Sequence, residues 1–260
     1  MQRVVQSEWL DELPPEDAGA VQSRRDLRRL NFLMGHVGMM TRALAGPWGR
    51  QKVRSIVELG AGDGTFLLKL ARQLERLEAG RLLIRAMGNA GAWLAWRGRI
   101  PRLESIPTKA VLVDRQKLVR TVIREKFGRL GWRVEIVKAD VFDWLAEPRL
   151  ATGTMMVANL FLHHFAEETL RSLLLHISAR SDFFVACEPR RSAFALSASR
   201  KLGVIGCNAV TRHDAVVSVQ AGFVDRELSA LWPATPGWQL EEREAGMFSH
   251  CFVARREPDA

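Results

Sequence analysis

The 260-residue chain contains no tyrosine, so no tyrosine phenolate can act as a catalytic base in it. Its three cysteines, Cys187, Cys207 and Cys251, are an odd number without C-x-x-C spacing, a pattern that points to neither a disulfide framework nor a zinc site. No apolar run approaches the ~20 residues that a membrane span requires, and residues 1–13 are polar and acidic where a secretion signal would be basic and then apolar. These absences lead to the expectation of a cytoplasmic protein with reduced, mostly buried thiols.

The hydrophobic content of 47% supports a well-filled core, and the length suits one sizeable α/β domain plus an accessory segment. The net charge of +9 could mark a nucleic-acid surface. The positive residues are chiefly arginines scattered along the chain, which fits the compositional bias of a GC-rich genome better than a binding stripe.

The most informative stretch is Ser55-Ile-Val-Glu-Leu-Gly-Ala-Gly-Asp-Gly-Thr-Phe66. An apolar run ends in an acid, turns through Gly60, Gly62 and Gly64, and opens into an amphipathic segment over 66–74. Glycines let a ligand approach the backbone, and a helix N-terminus offers it unpaired N–H groups. The spacing G-x-G-x-G differs from the dinucleotide pattern G-x-G-x-x-G. A buried Glu58 would oppose a pyrophosphate but suit a ligand that carries an amino group and a sulfonium.

Strand patterns follow at 53–59, 110–114, 133–138, 154–159, 182–187, 238–242 and 248–255. Helical segments separate the first five; a short turn around Ala245-Gly246 makes the last two an antiparallel hairpin. Before them, Pro14-Pro15-Glu16-Asp17 reads as a helix start. Leu27, Leu30, Phe32, Leu33, Val37 and Met40 recur at helical spacing over 21–40, interleaved with Arg24, Arg25, Arg28 and Arg29. The plain reading is a helix with its apolar stripe on the domain and its arginines in water.

The pattern E-x-G-x-G-x-G at Glu58 to Gly64 resembles motif I of the class I S-adenosylmethionine-dependent methyltransferases, and the strand order is similar to theirs over about residues 50–256. The resemblance implies a Rossmann-like seven-stranded α/β sheet, five parallel-type strands plus a C-terminal antiparallel hairpin. Residues 1–49 would form an N-terminal helical lid and 50–260 the methyltransferase domain. It further implies that S-adenosyl-L-methionine is the cofactor, with S-adenosyl-L-homocysteine as product. Glu58, Gly60, Ala61 and Gly62 would cradle it, Asp114 would accept from the ribose hydroxyls, and Arg115 would lie on the adenine face. Asp140 and Val141, in Val137-Lys-Ala-Asp-Val-Phe142, would contact the adenine, and Asn159 would lie beside the cofactor. One departure is an insertion at about 80–109, carrying Trp93, Trp96, Arg97 and Arg99, which sets Asp114 far from the glycine turn. It reads as a surface excursion or as a contact element.

In Ala158-Asn-Leu-Phe-Leu-His-His-Phe165 there is no N-P-P-Y or D-P-P-Y, which argues against methylation of a base amine or a glutamine amide by that machinery. Nor does the sequence show an acid cluster for a divalent ion. L-x-H-H instead resembles the ubiquinone and menaquinone methyltransferases and many small-molecule O-methyltransferases. Together Thr211-Arg-His-Asp214 and Ser23-Arg-Arg-Asp-Leu-Arg28 resemble bacterial methyltransferases of polyketide-type gene neighbourhoods. His164 and His213 are therefore the candidate catalytic bases, with His163 beside them; Asp214 reads as a turn residue and Cys187 as a buried core thiol. The implied reaction is metal-independent O-methylation of a small aromatic or polyketide-derived hydroxyl. Two other readings stay open: an RNA or protein methyltransferase, and a cofactor-binding subunit without catalysis.

Overall fold

The computed structural model describes residues 1–48, 54–87, 108–147 and 154–257. Seven strands form one sheet: β1 (Arg54–Leu59), β2 (Thr108–Asp114), β3 (Trp132–Lys138), β4 (Thr154–Asn159), β5 (Phe183–Pro189), β6 (Trp238–Ala245) and β7 (Ser249–Arg256), in the order β3-β2-β1-β4-β5-β7-β6. Pairings among β1 to β5 are parallel, while β7 inserts antiparallel between β5 and β6. The seven expected strands are all present, most of them longer than expected by one to three residues. Position follows from composition. β4 (TMMVAN) and β5 (FFVACEP) are buried at every residue because helices cover both faces, whereas the edge strands β3 (WRVEIVK) and β6 (WQLEEREA) alternate and carry most of their charges outward, Glu242 excepted, which is buried against His250 at 2.8 Å.

Helices α1 (Trp9–Glu12), α2 (Ala18–Met34), α3 (His36–Trp48), α4 (Thr65–Met87) and α5 (Thr121–Arg129) precede β3. After it come α6 (Val141–Ala146), α7 (Glu167–Arg180), α8 (Ala193–Ser199), α9 (Ala209–Ala221) and α10 (Glu227–Leu231). One core layer packs Met40, Leu44 and Trp48 of α3 with Leu67, Leu70 and Leu74 of α4 and Phe127 of α5 on one sheet face. The opposite layer joins Leu145, Leu170, Leu174, Phe184, Trp232 and Phe252.

Two expectations need correction. The single helix over 21–40 is two helices, because Gly35 takes φ 70° and ends α2 in a left-handed cap before α3 begins. Its start is as expected, with the Asp17 carboxylate accepting from the Ala20 N–H. The apolar stripe does not lie wholly on the domain either: Phe32 and Leu33 are 76% and 70% exposed. As for the insertion, α4 continues through Met87, and the tryptophans and arginines expected to distinguish this segment lie outside the described residues.

The chain steps outward from β1 to β2 and β3, then returns across β1 to β4. Adjacent β1 and β4 thus send their following segments to opposite sides, which opens a crevice at their carboxyl ends.

Candidate functional site

That crevice is a cleft of about 1320 Å³. A single drug-sized ligand fills ~300–1,000 Å³, so a donor and an acceptor fit together.

One wall is the turn after β1. Gly60, Gly62 and Gly64 have φ of 67°, 53° and 72°, a region costly to side-chain-bearing residues. At Gly60 a Cβ would also lie 2.2 Å from Phe161 Cδ2, whereas Gly62 faces open space. Glu58 beneath the turn is 2% exposed, and among the described residues its Oε2 has no hydrogen-bond partner. Burial, reinforced by Asp63, raises its carboxyl pKa well above the usual range. A cationic ligand group in the cleft would supply the missing partner.

The next acid, Asp114, anchors the turn itself: Oδ2 accepts from the Gly62 N–H at 2.8 Å and Oδ1 from the Gln116 N–H at 2.7 Å. Burial is the main cause of its raised pKa. Each oxygen keeps a second lone pair for a ligand diol. Arg115 beside it is exposed on the cleft rim. Asp140 caps α6, one oxygen accepting from the Phe142 N–H at 2.8 Å, and Val141 lies buried on the cleft wall. Ala61 and Asn159 line the cleft as well, so the cofactor-binding candidates all border one cleft.

Asn159 belongs to a polar chain that the sequence did not reveal. Its Oδ1 lies 2.7 Å from His36 Nδ1, its Nδ2 donates to Asn31 Oδ1 at 3.2 Å, and His36 Nε2 lies 2.7 Å from Ser249 Oγ. Burial lowers the His36 pKa. The neutral ring then donates from Nδ1 to the amide oxygen and accepts at Nε2 from the serine hydroxyl.

The opposite wall begins at Leu160, whose φ of 53° is unusual for a branched side chain. Glu188, fully buried at the end of β5, holds this bend: Oε1 accepts from the Phe161 and Leu162 N–H groups at 3.0 and 2.9 Å, and Oε2 from the His163 N–H at 3.4 Å. The same Oε2 lies 2.7 Å from His163 Nδ1, and His163 Nε2 lies 3.2 Å from Glu8 Oε1. Although desolvation opposes it, these two carboxylates raise the His163 pKa to about 9. His163 is therefore a doubly paired imidazolium, unable to take a proton.

His164 differs. Its side chain is 24% exposed to the cleft, and Asp11 Oδ2 lies 3.3 Å from Nδ1. His213, the other candidate base, lies outside the cleft. Its ring stacks on Trp9 with centroids 3.8 Å apart, and Nδ1 lies 2.9 Å from Asp214 Oδ1. Asp214 is a helical residue of α9, not a turn residue, and its carboxylate accepts from the Trp9 and Leu10 N–H groups at 2.9 and 3.0 Å. The Thr211 to Asp214 stretch thus ties down the N-terminal segment; Ser218, one turn on, is the α9 residue that reaches the cleft.

Residues 1–12 cross the mouth of this wall as a strap. Arg3 donates to the carbonyls of Ala221 and Phe165, the Val4 N–H donates to the Gln220 carbonyl, and Glu8 accepts from the Ser218 hydroxyl. Two α2 arginines also face the cleft and are not simply solvated: Arg28 pairs with Asp63 at 2.8 Å, and Arg24 reaches Gln116. Cys187 is the buried core thiol expected, 4.0 Å from Cys251 across β5 and β7.

The strap latch has a defined pH range. His163 is raised from 6.5 to about 9, so its contribution to stability is complete below pH 6.5 and lost as pH rises through about 9. Glu8 is lowered from 4.5 to about 2, so its contribution is complete above pH 4.5 and lost as pH falls through about 2. The loss of thermal stability in Glu8→Gln is accordingly expected to be largest between pH 4.5 and 6.5 and to shrink above about 9. Melting curves of both proteins across pH check this; an unchanged difference at the alkaline end contradicts it.

No family model matches the sequence, and no curated protein does. Solved structures do. The plantazolicin methyltransferase BpumL, solved in complex with SAH, aligns over 93% of this chain and 92% of its own at TM-score 0.57 and 9% identity. The mitomycin 7-O-methyltransferase MmcR aligns over 96% of this chain and 61% of its own, at 0.55 and 13%. An O-methyltransferase family protein from Burkholderia thailandensis aligns over 95% and 65%, at 0.51 and 15%. The chain spans less than two thirds of the last two. It has the fold of the class I S-adenosylmethionine-dependent methyltransferases.

Proposed function

We propose that the protein is an S-adenosylmethionine-dependent methyltransferase acting on a hydroxyl of a small, largely apolar acceptor, aromatic or polyketide-derived. The observation that carries this reading is the pairing, across one cleft, of the glycine turn and its acids with an accessible imidazole. BpumL with its bound SAH and MmcR, a 7-O-methyltransferase, support it as structural neighbours.

The donor wall fits the cofactor. Unpartnered Glu58 Oε2 suits its ammonium group, Asp114 its ribose diol, and Asp140 and Val141 its adenine, with Arg115 over the ring. When bound, the cofactor supplies a methyl group on a sulfonium, open to in-line displacement. The chain's own residues supply position and a proton acceptor. Orientation alone can contribute ~7–11 kcal/mol to such a step. Asp11, 3.3 Å from Nδ1, orients the His164 ring, so the other nitrogen can take the acceptor's hydroxyl proton. Phe161 and Phe165 offer apolar surface beside the imidazole for the acceptor's ring, and the displacement itself requires no metal. Residues 1–34, as strap and α2, provide the covering role expected of the N-terminal segment, since α3 belongs to the core.

Incubation with cofactor labelled in its methyl group, against hydroxylated aromatic compounds and against RNA, tests the reading. Label is expected in the aromatic fraction. Label confined to RNA, or cofactor binding without transfer to any acceptor, would replace it with one of the two other readings.

A further inference from the structure

Glu8, His163 and His164 lie on the strap side of the cleft, and one ligand-type atom from each can be chosen so that all three fall within 4.8 Å of one another. Two are buried and the third half-buried. They come from sequence-distant segments, the strap and the turn after β4, which is why neither segment alone shows a metal-ligand spacing.

Three features distinguish this group from a chance cluster. First, His163 Nε2 and Glu8 Oε1 are 3.2 Å apart. Two ligands at ~2.0–2.1 Å from a tetrahedral ion stand about 3.3 Å from each other, so this edge of the polyhedron is already set. Second, each imidazole has a carboxylate at its Nδ1: Glu188 at 2.7 Å from His163 and Asp11 at 3.3 Å from His164. Metal-ligating histidines are commonly oriented in this way, by a carboxylate on the nitrogen that does not bind the ion. Third, three carboxylates meet two imidazoles here, so a divalent cation offsets surplus negative charge.

We propose that Glu8, His163 and His164 form a site for a divalent cation of the zinc type. The ion takes the place of the proton shared by His163 Nε2 and Glu8, and that proton leaves to solvent. Rotation of the His164 side chain closes the two remaining edges. Three protein ligands leave the fourth tetrahedral position open to the cleft. An occupied site holds the strap to the turn after β4 and engages the imidazole assigned above as the proton acceptor. Zinc is thus expected to inhibit transfer, a consequence that rests on that assignment, whereas binding does not.

Calorimetric titration of the full chain with zinc chloride, in a non-chelating buffer and without cofactor or acceptor, tests the site independently of methyl transfer. One ion per chain is expected to bind. Affinity is expected to fall at least tenfold in Glu8→Gln and in His164→Ala, and ~10–100-fold in Glu188→Gln, which leaves the three ligands in place but alters the partner of His163 Nδ1 and of the bend that carries both histidines. His213→Ala, outside the group, is expected to retain wild-type affinity, which separates a local site from scattered histidine binding. Circular dichroism on each variant establishes that it is folded. If the wild type shows no saturable binding, or if folded Glu8→Gln and His164→Ala bind as tightly as wild type, the site does not exist.

Discussion

His164→Ala is expected to lower turnover on the acceptor by ~10²–10⁴-fold, the range in which a positioned general base contributes, while leaving cofactor affinity nearly unchanged. The separation follows from geometry. His164 stands on the wall after β4, beside Phe161 and Asp11, whereas Glu58, Asp114 and Asp140, the acids proposed to hold the cofactor, lie at the ends of β1, β2 and β3. His163→Ala offers no equivalent test, because both its nitrogens are engaged by buried carboxylates. Asp11→Asn should reproduce part of the loss by weakening the orientation of the ring. Measuring kcat and the cofactor dissociation constant on the same preparations checks this. Full turnover in His164→Ala would remove the base from the account.

Glu188→Ala is expected to destabilise the fold by about 3–5 kcal/mol, the cost of leaving one partner of a buried charged pair alone. The carboxylate serves three backbone N–H groups and one imidazole at once, and all are within the wall that faces the ligand. Its loss also frees the bend at Leu160, whose left-handed backbone persists only while its surroundings fix it. Denaturant unfolding measures the difference. A change below about 1 kcal/mol, the size of one ordinary hydrogen bond, would show that the wall stands without it.

Much of the architecture was legible in the sequence. Continuous apolar runs gave β4 and β5, alternating ones the edges β3 and β6, and glycine spacing gave the turn after β1. Glu58, Asp114 and Asp140 were visible because each closes a strand pattern, and in a parallel sheet successive strand ends meet at one edge. Local signals of this kind cannot report pairing between distant segments. Glu8 meets His163 across 155 positions and His36 meets Asn159 across 123, so neither partner carries a mark of the other. The same limit explains His213: nothing in Thr211 to Asp214 announces Trp9, which comes in from the N-terminal segment and covers the ring. Phe32 and Leu33 had helical spacing but lay just before Gly35, where the helix stops and its stripe leaves the core. Glu188 was readable as an acid after an apolar strand, and only the bend at Leu160 shows what it holds.

The proposed reaction depends on the cleft between β1 and β4 binding S-adenosylmethionine through the acids at the strand ends. Calorimetric titration of the wild-type chain and Asp114→Ala with S-adenosylhomocysteine tests it most directly. One site per wild-type chain is expected, with ~10–100-fold weaker binding in Asp114→Ala, because hydrogen bonds to a charged group worth ~1.5–3 kcal/mol are lost. No binding to the wild type, or equal affinity in the two folded proteins, would contradict it.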